Sequence, residues 1–277
     1  MGVRDRLYAD FLMPSRLNAY RGFLESVLGS GWKIVSVQTF WETTKTGAKP
    51  ENRRFLVLRH DVDTDAETAR EMWSIDRELG VESSYFFRLS TLDFPLMAEI
   101  AAGGSQVSYH YEELAAVAKR RGVSRQLQIA PHMPEARDRF QSNLEKLRAI
   151  TSLPMTVVAS HGDFVNRAIQ SPNWLILDDP SFRKQVDVKL ETYDDALLDL
   201  LPARYTDTLH PMYWSPEDPA VAVAHANSNV QILVHPRHWR VSRPANARDD
   251  LRRFAEGARF GMQKRWSRGP RTGLDAT

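Results

Sequence analysis

Cysteine is absent from the 277 residues, which excludes a disulfide frame, a thiolate metal site and a cysteine nucleophile, and leaves any metal chemistry to His, Asp and Glu. No apolar run approaches the ~18 residues needed to cross a bilayer, so no membrane span is expected. The N-terminus, with Arg4, Asp5 and Arg6 close together, lacks the apolar core of a secretory signal, and a cytoplasmic location is the expectation. Gly103, Gly104 and Gly162 stand outside any dinucleotide or P-loop fingerprint, and there is no Gly-x-Ser-x-Gly elbow for a serine nucleophile. The formal charge is only +2. With no dense Lys/Arg stripe interleaved with aromatics, a nucleic-acid partner is not expected.

What is present, 42% hydrophobic and 26% charged residues, is the composition of an ordinary folded protein, long enough for one large α/β domain or two small ones. The chain is organised around residues 55–64, Phe-Leu-Val-Leu-Arg-His-Asp-Val-Asp-Thr. The apolar run 55–58 suits a strand covered on both faces. In extended backbone, residues two apart point the same way, so Asp61 and Asp63 can aim two carboxylates at one point. Two carboxylates so placed repel, and a cation or a shared proton is the usual remedy. Thr64 to Glu67 has the form of a capping box, and Ala66, Ala69, Met72, Trp73 and Leu79 recur at helical spacing until Gly80. The acidic pair thus sits between a buried strand and a helix start, the edge of an α/β fold where chemistry is placed. The competing reading makes both aspartates cap and turn residues.

Elsewhere the pattern predicts a helical lead-in over 1–30, strands over 32–40, 83–89, 106–110 and 155–160, and helices over 94–102, 112–121 and 131–150. Shorter strand candidates cover 174–177, 186–190, 203–206 and 230–234, and a last helix is expected over 247–258 with Asn246 as its cap. Alternating strands and helices without a linker argue for a single α/β domain on a parallel sheet, closed or nearly closed, over residues 1–262. Residues 263–277, basic and punctuated by Gly and Pro, are expected to be a flexible tail.

The histidines fall at strand ends: His60, His110, His161 and His235 each follow an apolar or β-rich run. If the strands run parallel, four imidazoles share a rim with two aspartates. Imidazoles plus one carboxylate are the ordinary ligands of a catalytic zinc-type ion. Any one of these histidines alone is more often a hydrogen-bonded core residue than a ligand; four at one rim, facing two aspartates, reverse that preference. His132 and His225 suit surface roles, whereas His210 and His238 lie near rim loops as possible substrate contacts.

Arg59-His-Asp-Val-Asp63, Val107-Ser-Tyr-His110, Ser160-His-Gly162 and Leu233-Val-His235 together resemble the polysaccharide deacetylases of the NodB-homology type, carbohydrate esterase family 4-like. The similarity is greatest to the divergent His-Asp-Val-Asp branch linked to bacterial surface-polysaccharide assembly. It runs from about Arg54 to Trp239. It implies a distorted (β/α)7 barrel and one divalent ion, zinc foremost, with cobalt, nickel and manganese as alternatives. It also implies Asp61 as general base, Asp63 and His110 as metal ligands and His235 as general acid, with exchange of the two aspartate roles left open by Val62. The family's common form has a second histidine four residues after the first; here that position is Leu114, which cannot bind a metal. His161 is the expected substitute, with Glu113 in reserve. Arg88, Asp207 and Tyr109 are expected to face the substrate, Arg88 with the alternative of a surface salt bridge and Asp207 with the option of orienting an imidazole.

The activity so implied is hydrolysis of an N-acyl group on a sugar or glycan, in surface-polysaccharide or O-antigen biosynthesis. A non-catalytic carbohydrate-binding protein on the same barrel, or a metal-dependent isomerase or phosphoester hydrolase, are the alternatives. The sequence does not address oligomeric state.

Overall fold

Residue-by-residue alternation along 55–62 decides how the molecule is layered. Phe55, Val57, Arg59 and Asp61 share one face, and Leu56, Leu58, His60 and Val62 the other. All eight are buried, so this strand is covered on both sides, as its apolar run predicts. The computed structural model describes residues 2–45, 54–225 and 229–266. Its strands are β1 (Lys33–Val35), β2 (Phe55–Val62), β3 (Ser84–Phe87), β4 (Gln106–Tyr111), β5 (Val157–Ser160), β6 (Leu190–Glu191), β7 (Ala203–Asp207), β8 (Trp214–Ser215) and β9 (Val230–Val234). They form one sheet in the order β6-β5-β4-β3-β2-β9-β7-β8, with β1 paired to the start of β2. Every pairing is parallel except β7 with β8. Parallel order puts all the strand ends on one rim. Among the described residues no pairing joins the two outer ends of the sheet, so the expected barrel is a curled half-barrel within one α/β domain.

The inner face is apolar at its base, where Val35, Phe40, Phe55, Val57, Phe86, Val157, Ala159, Leu190 and Leu201 pack together. Two outer layers pack the sheet against helices, one through Trp73, Tyr85, Tyr109, Leu114 and Phe140, the other through Tyr20, Leu24, Leu58, Ile232 and Trp239. Each fully buried Leu, Val or Phe in these layers contributes ~1.5–3 kcal/mol. The charged residues of β2 lie just above the apolar base, and so are held by a rigid floor.

Several expected elements fall where the pattern puts them, including the helix Phe94–Ala102 and β9. Others differ for physical reasons. The strand expected over 32–40 stops at Val35, and Val37–Lys45 is a helix whose Val37 and Phe40 are buried. The helix after β2 is capped by Asp65, not Thr64: its carboxylate accepts from the backbone N–H groups of Glu67 and Thr68 at 3.1 and 3.2 Å. Residues 173–177 form a 3-10 turn rather than a strand. The last helix runs Arg243–Trp266, and Asn246 lies inside it, buried, its amide donating to the Asp10 carbonyl at 2.7 Å. The expected boundary at 262/263 therefore falls within a helix, and the tail residues 267–277 lie outside the described residues. Among the described residues no helix is long and apolar enough to cross a membrane.

Candidate metal centre and catalytic groups

Three strand ends build the cluster. Asp61 ends the inner face of β2 and Asp63 follows two residues on; His110 comes from β4, and His161 follows β5. Asp63 Oδ1 lies 3.2 Å from His110 Nε2 and 3.0 Å from His161 Nδ1, and the two nitrogens are 3.2 Å apart. Donor atoms at the corners of a tetrahedron around an ion with bonds of ~2.0–2.1 Å are roughly 3.3 Å apart. The three separations match that figure.

Two further observations fit a cation here. Asp63 Oδ1 is buried and has no hydrogen-bond partner, an arrangement that costs free energy unless something positive faces it. His110 Nδ1 lies 3.0 Å from the Ala159 carbonyl. A carbonyl only accepts, so Nδ1 carries the hydrogen and Nε2 presents its lone pair to the other donors. Burial pushes the Asp63 carboxyl up, but the neighbouring His161 charge and the contacts with both imidazoles hold it well below the usual carboxylate range. Two imidazoles and one carboxylate are a donor set for zinc and its first-row neighbours, and three protein donors leave a position open for chemistry.

Asp61 sits beside this cluster, its Oδ2 3.4 Å from His110 Nε2. It is clamped from below by Arg59, whose Nε and Nη2 donate to the two carboxylate oxygens at 2.7 Å each. Burial pushes Asp61 up, but Arg59 and then His110 outweigh it, so its pKa lies below the ordinary value. A bidentate clamp occupies one lone pair on each oxygen and leaves the others free to accept. The guanidinium in turn stacks near the ring of Tyr193, 5.2 Å from its centroid.

Across the mouth, His235 follows β9. Its Nδ1 donates to Asp207 Oδ1 at 2.7 Å, and the same oxygen takes His238 Nδ1 at 2.9 Å. Asp207 Oδ2 accepts from the His235 backbone N–H at 2.8 Å and from Trp239 Nε1 at 2.7 Å. Burial opposes a charge on His235, yet the Asp207 carboxylate, helped by Asp63 and Asp61, raises its pKa to about 9. Asp207, His235 and His238 are also close enough to form a second donor group. In that group both imidazole Nδ1 atoms carry hydrogens toward a carboxylate whose oxygens are fully engaged, which is the arrangement of an orienting acid rather than of an ion site.

Of the residues singled out from sequence, Asp61, Asp63, His110 and His161 come together, with His235 facing them. Asp207 is buried and wholly occupied by four protein donors, so it orients His235 instead of meeting substrate. Tyr109 is not at the mouth: it is 1% exposed, its hydroxyl donates to Glu113, and its ring stacks on Phe140. Strand alternation explains this, since Tyr109 precedes the inward-facing His110 and turns to the outer layer. Glu113 accepts from Tyr109 and from Asn143 at 2.8 Å, away from the ligand cluster, and Leu114 is a core residue. His60 likewise turns outward, stacked on Tyr85 at 4.0 Å with Nε2 2.8 Å from the Tyr20 hydroxyl. His210 packs against Tyr8 and Tyr213, and His225 is exposed. Arg88 is buried, donating to the Asp63 carbonyl at 3.1 Å and to Glu112 at 2.6 Å.

The clamp by Arg59 escaped the sequence reading, although opposite charges at i and i+2 on a strand carry that signal. Glu191 had no signal at all. It is a buried carboxyl accepting from the Ser160 and Tyr193 N–H groups at 2.7 and 2.6 Å, and burial raises it to about 7 against those bonds and Arg59.

No family model matches the sequence, and no curated protein matches it. Among solved structures the chain is similar to a mutant of a CE4 family pseudoenzyme with restored enzymatic activity, at 12% identity and TM-score 0.39 over 77% of this chain and 64% of that one, so it spans less than two thirds of that protein. It is similar to the peptidoglycan deacetylase PdaC from Bacillus subtilis at 12% identity and TM-score 0.38, over 78% of this chain and 94% of that one. The third is the Xyl-CE4 domain of a multidomain xylanase from the hindgut metagenome of Trinervitermes trinervoides, at 12% identity and TM-score 0.36 over 73% of this chain and 84% of that one.

Proposed function

We propose that this chain is a metal-dependent hydrolase that removes an N-acyl group, acetyl foremost, from a sugar or glycan made in the cytoplasm for bacterial surface polysaccharide or O-antigen. The observation that carries the reaction type is the convergence of Asp63, His110 and His161 donors between a clamped carboxylate, Asp61, and a protonated imidazole, His235. The sugar and its pathway rest on the motif resemblance. Asp63, His110 and His161 would hold the ion, zinc foremost. The chemistry such an ion supplies is Lewis acidity, which polarises an acyl carbonyl and makes a nearby water easier to deprotonate.

The rest falls to the side chains. Asp61, kept ionised by Arg59, accepts the proton of the attacking water on a free lone pair. Arg59 also fixes the direction of that carboxylate, which removes an orientational cost from the step. His235, kept cationic by Asp207, presents Nε2–H to the departing nitrogen and donates its proton there. Holding one group ionised as base and another protonated as acid at the same pH is the requirement of amide hydrolysis, and here opposite neighbours achieve it. The non-catalytic alternative rested on Leu114, and the His161 donor supplies what Leu114 cannot. The test is metal content of the purified protein together with release of acetate from N-acetylated sugars, in wild type and Asp61→Asn. Metal bound near one equivalent with acetate release abolished by the substitution and by chelation supports the reading; release that survives both removes it.

A further inference from the structure

The C-terminal helix Arg243–Trp266 passes the rim beside Asp63, and two adjoining cavities separate it from the strand ends. The smaller, about 90 Å³, is bordered by Asp63, Thr91, Arg248 and Arg252. The larger, about 310 Å³, is bordered by Arg88, Glu112, Lys119, Arg252 and Arg259. Arg252 borders both, so the two open side by side along the helix as one groove-like face, the smaller part beside Asp63. Its larger part is at the small end of the ~300–1,000 Å³ typical of small-molecule sites, room for a charged monosaccharide unit but not for a packed polymer.

Six cations and four carboxylates border the two cavities, and not all of the cations are spent. Lys119 is committed to Asp163 and Glu256 at 2.7 and 2.6 Å, and Arg252 holds Asp249 at 2.6 Å. Among the described residues no carboxylate lies within 4.0 Å of Arg248 or Arg259. The second observation is internal. Arg88 is only 4% exposed, and its Nε, on the guanidinium edge that also carries the Nη2 bonded to Glu112, donates to nothing. With no accessible surface of its own, that Nε meets an anion only if the guanidinium turns toward the cavity it borders, and the bond would then remove the cost of a buried charged donor without an acceptor. Guanidinium groups are the side chains best matched to phosphate and carboxylate oxygens.

Building on the hydrolase reading for the position of the reacting sugar, we propose that this groove is a subsite for an anionic group, phosphate or carboxylate, carried by the substrate on the acylated sugar or its neighbour. The substrate is then an acidic or phosphate-linked sugar, and the C-terminal helix selects it.

The test is calorimetric binding to the full-length, metal-loaded Asp61→Asn protein, which leaves its ligands intact. The probes are N-acetylglucosamine, N-acetylglucosamine 1-phosphate and N-acetylmuramic acid. The anionic probes should bind at least tenfold more tightly than the neutral sugar. The added substitutions Arg248→Gln and Arg259→Gln should erase that margin while leaving the neutral sugar unchanged; both residues are exposed, and Arg259→Glu, a single exposed change, serves where the double variant is poorly folded. Preference for the phosphate or for the carboxylate identifies the source of the anion. Equal binding of neutral and charged probes overturns the subsite, as does a preference that survives charge removal. Because the readout is binding, an anion preference without acetate release by the wild type would keep the subsite and remove the hydrolase, and acetate release from all probes without preference would do the reverse.

Discussion

Replacing Asp207 by Asn should move the basic limb of the pH–rate profile, because Asp207 is what keeps His235 protonated. His235 stands at about 9: burial acts downward, and the Asp207 charge and hydrogen bond act upward, followed by Asp63 and Asp61. Without that carboxylate the downward effect of burial is largely unopposed, and the imidazole returns to its ordinary value of ~6.5 or below. At about pH 8 the protonated fraction then falls from ~0.9 to ~0.03, a roughly thirtyfold loss in kcat/KM; at about pH 6 the loss is no more than about twofold. A bound cation offsets the pull of Asp63, so in the loaded enzyme both limbs lie lower while their difference remains. The assay is kcat/KM from about pH 5 to 10, with imidazole NMR titration of the ion-free protein. The variant also loses stability, by ~1–3 kcal/mol, since Asn offers one acceptor oxygen where Asp207 serves four donors. That structural loss would lower activity equally at all pH values. A uniform loss with an unmoved basic limb would refute the acid role of His235. The same pair sets a stability slope: a pKa raised in the folded state stabilises fully below ~6.5, and this contribution fades as pH rises through the folded value.

Asp63→Asn and His161→Ala should each lower bound zinc from one equivalent to less than about a tenth, by elemental analysis, whereas Glu113→Gln should retain it, because Tyr109 and Asn143 already engage that carboxylate. Leu114→Ala should cost ~2–5 kcal/mol in urea unfolding through the cavity it opens, with zinc content unchanged; loss of zinc instead would mean that this position shapes the ligand cluster directly. Arg59→Met should cost about 3–5 kcal/mol by leaving Asp61 charged and unpaired in a buried position, and the destabilisation should shrink at low pH, where Asp61 protonates; a pH-independent cost would point to packing as its origin.

Why some of this could be read from the sequence and some could not comes down to the range of the signals. Asp61 and Asp63 were legible because the two-residue period of a strand is local, and the histidines because an apolar run followed by His marks a strand end. Only tertiary registry separates His110 and His161, which turn inward, from His60, which turns outward. One residue of phase decides it, and a strand buried on both faces carries no polar alternation to reveal the phase. For the same reason Tyr109 read as a substrate contact when it belongs to the outer layer. The helix at Val37–Lys45 was hidden because Val37, Phe40 and Trp41 carry strand propensity, which packing of Val37 and Phe40 against the barrel base overrides.

The proposed ligand set shows the limit most sharply. A second histidine four residues after His110 would have declared two donors from sequence alone, yet that position opens the helix Glu113–Arg121, which turns Leu114 into the core. The missing donor arrives from the end of the next strand, 51 residues later in the chain, where His161 Nδ1 comes within 3.2 Å of His110 Nε2. Moving a ligand from a helix to a strand end exchanges a local constraint for one imposed by strand pairing, here Tyr111 with Ser160. The site therefore depends on β4 and β5 being in register. A substitution that slips that pairing, far from any donor atom, should abolish metal binding as completely as His161→Ala does, and should do so without altering a single ligand.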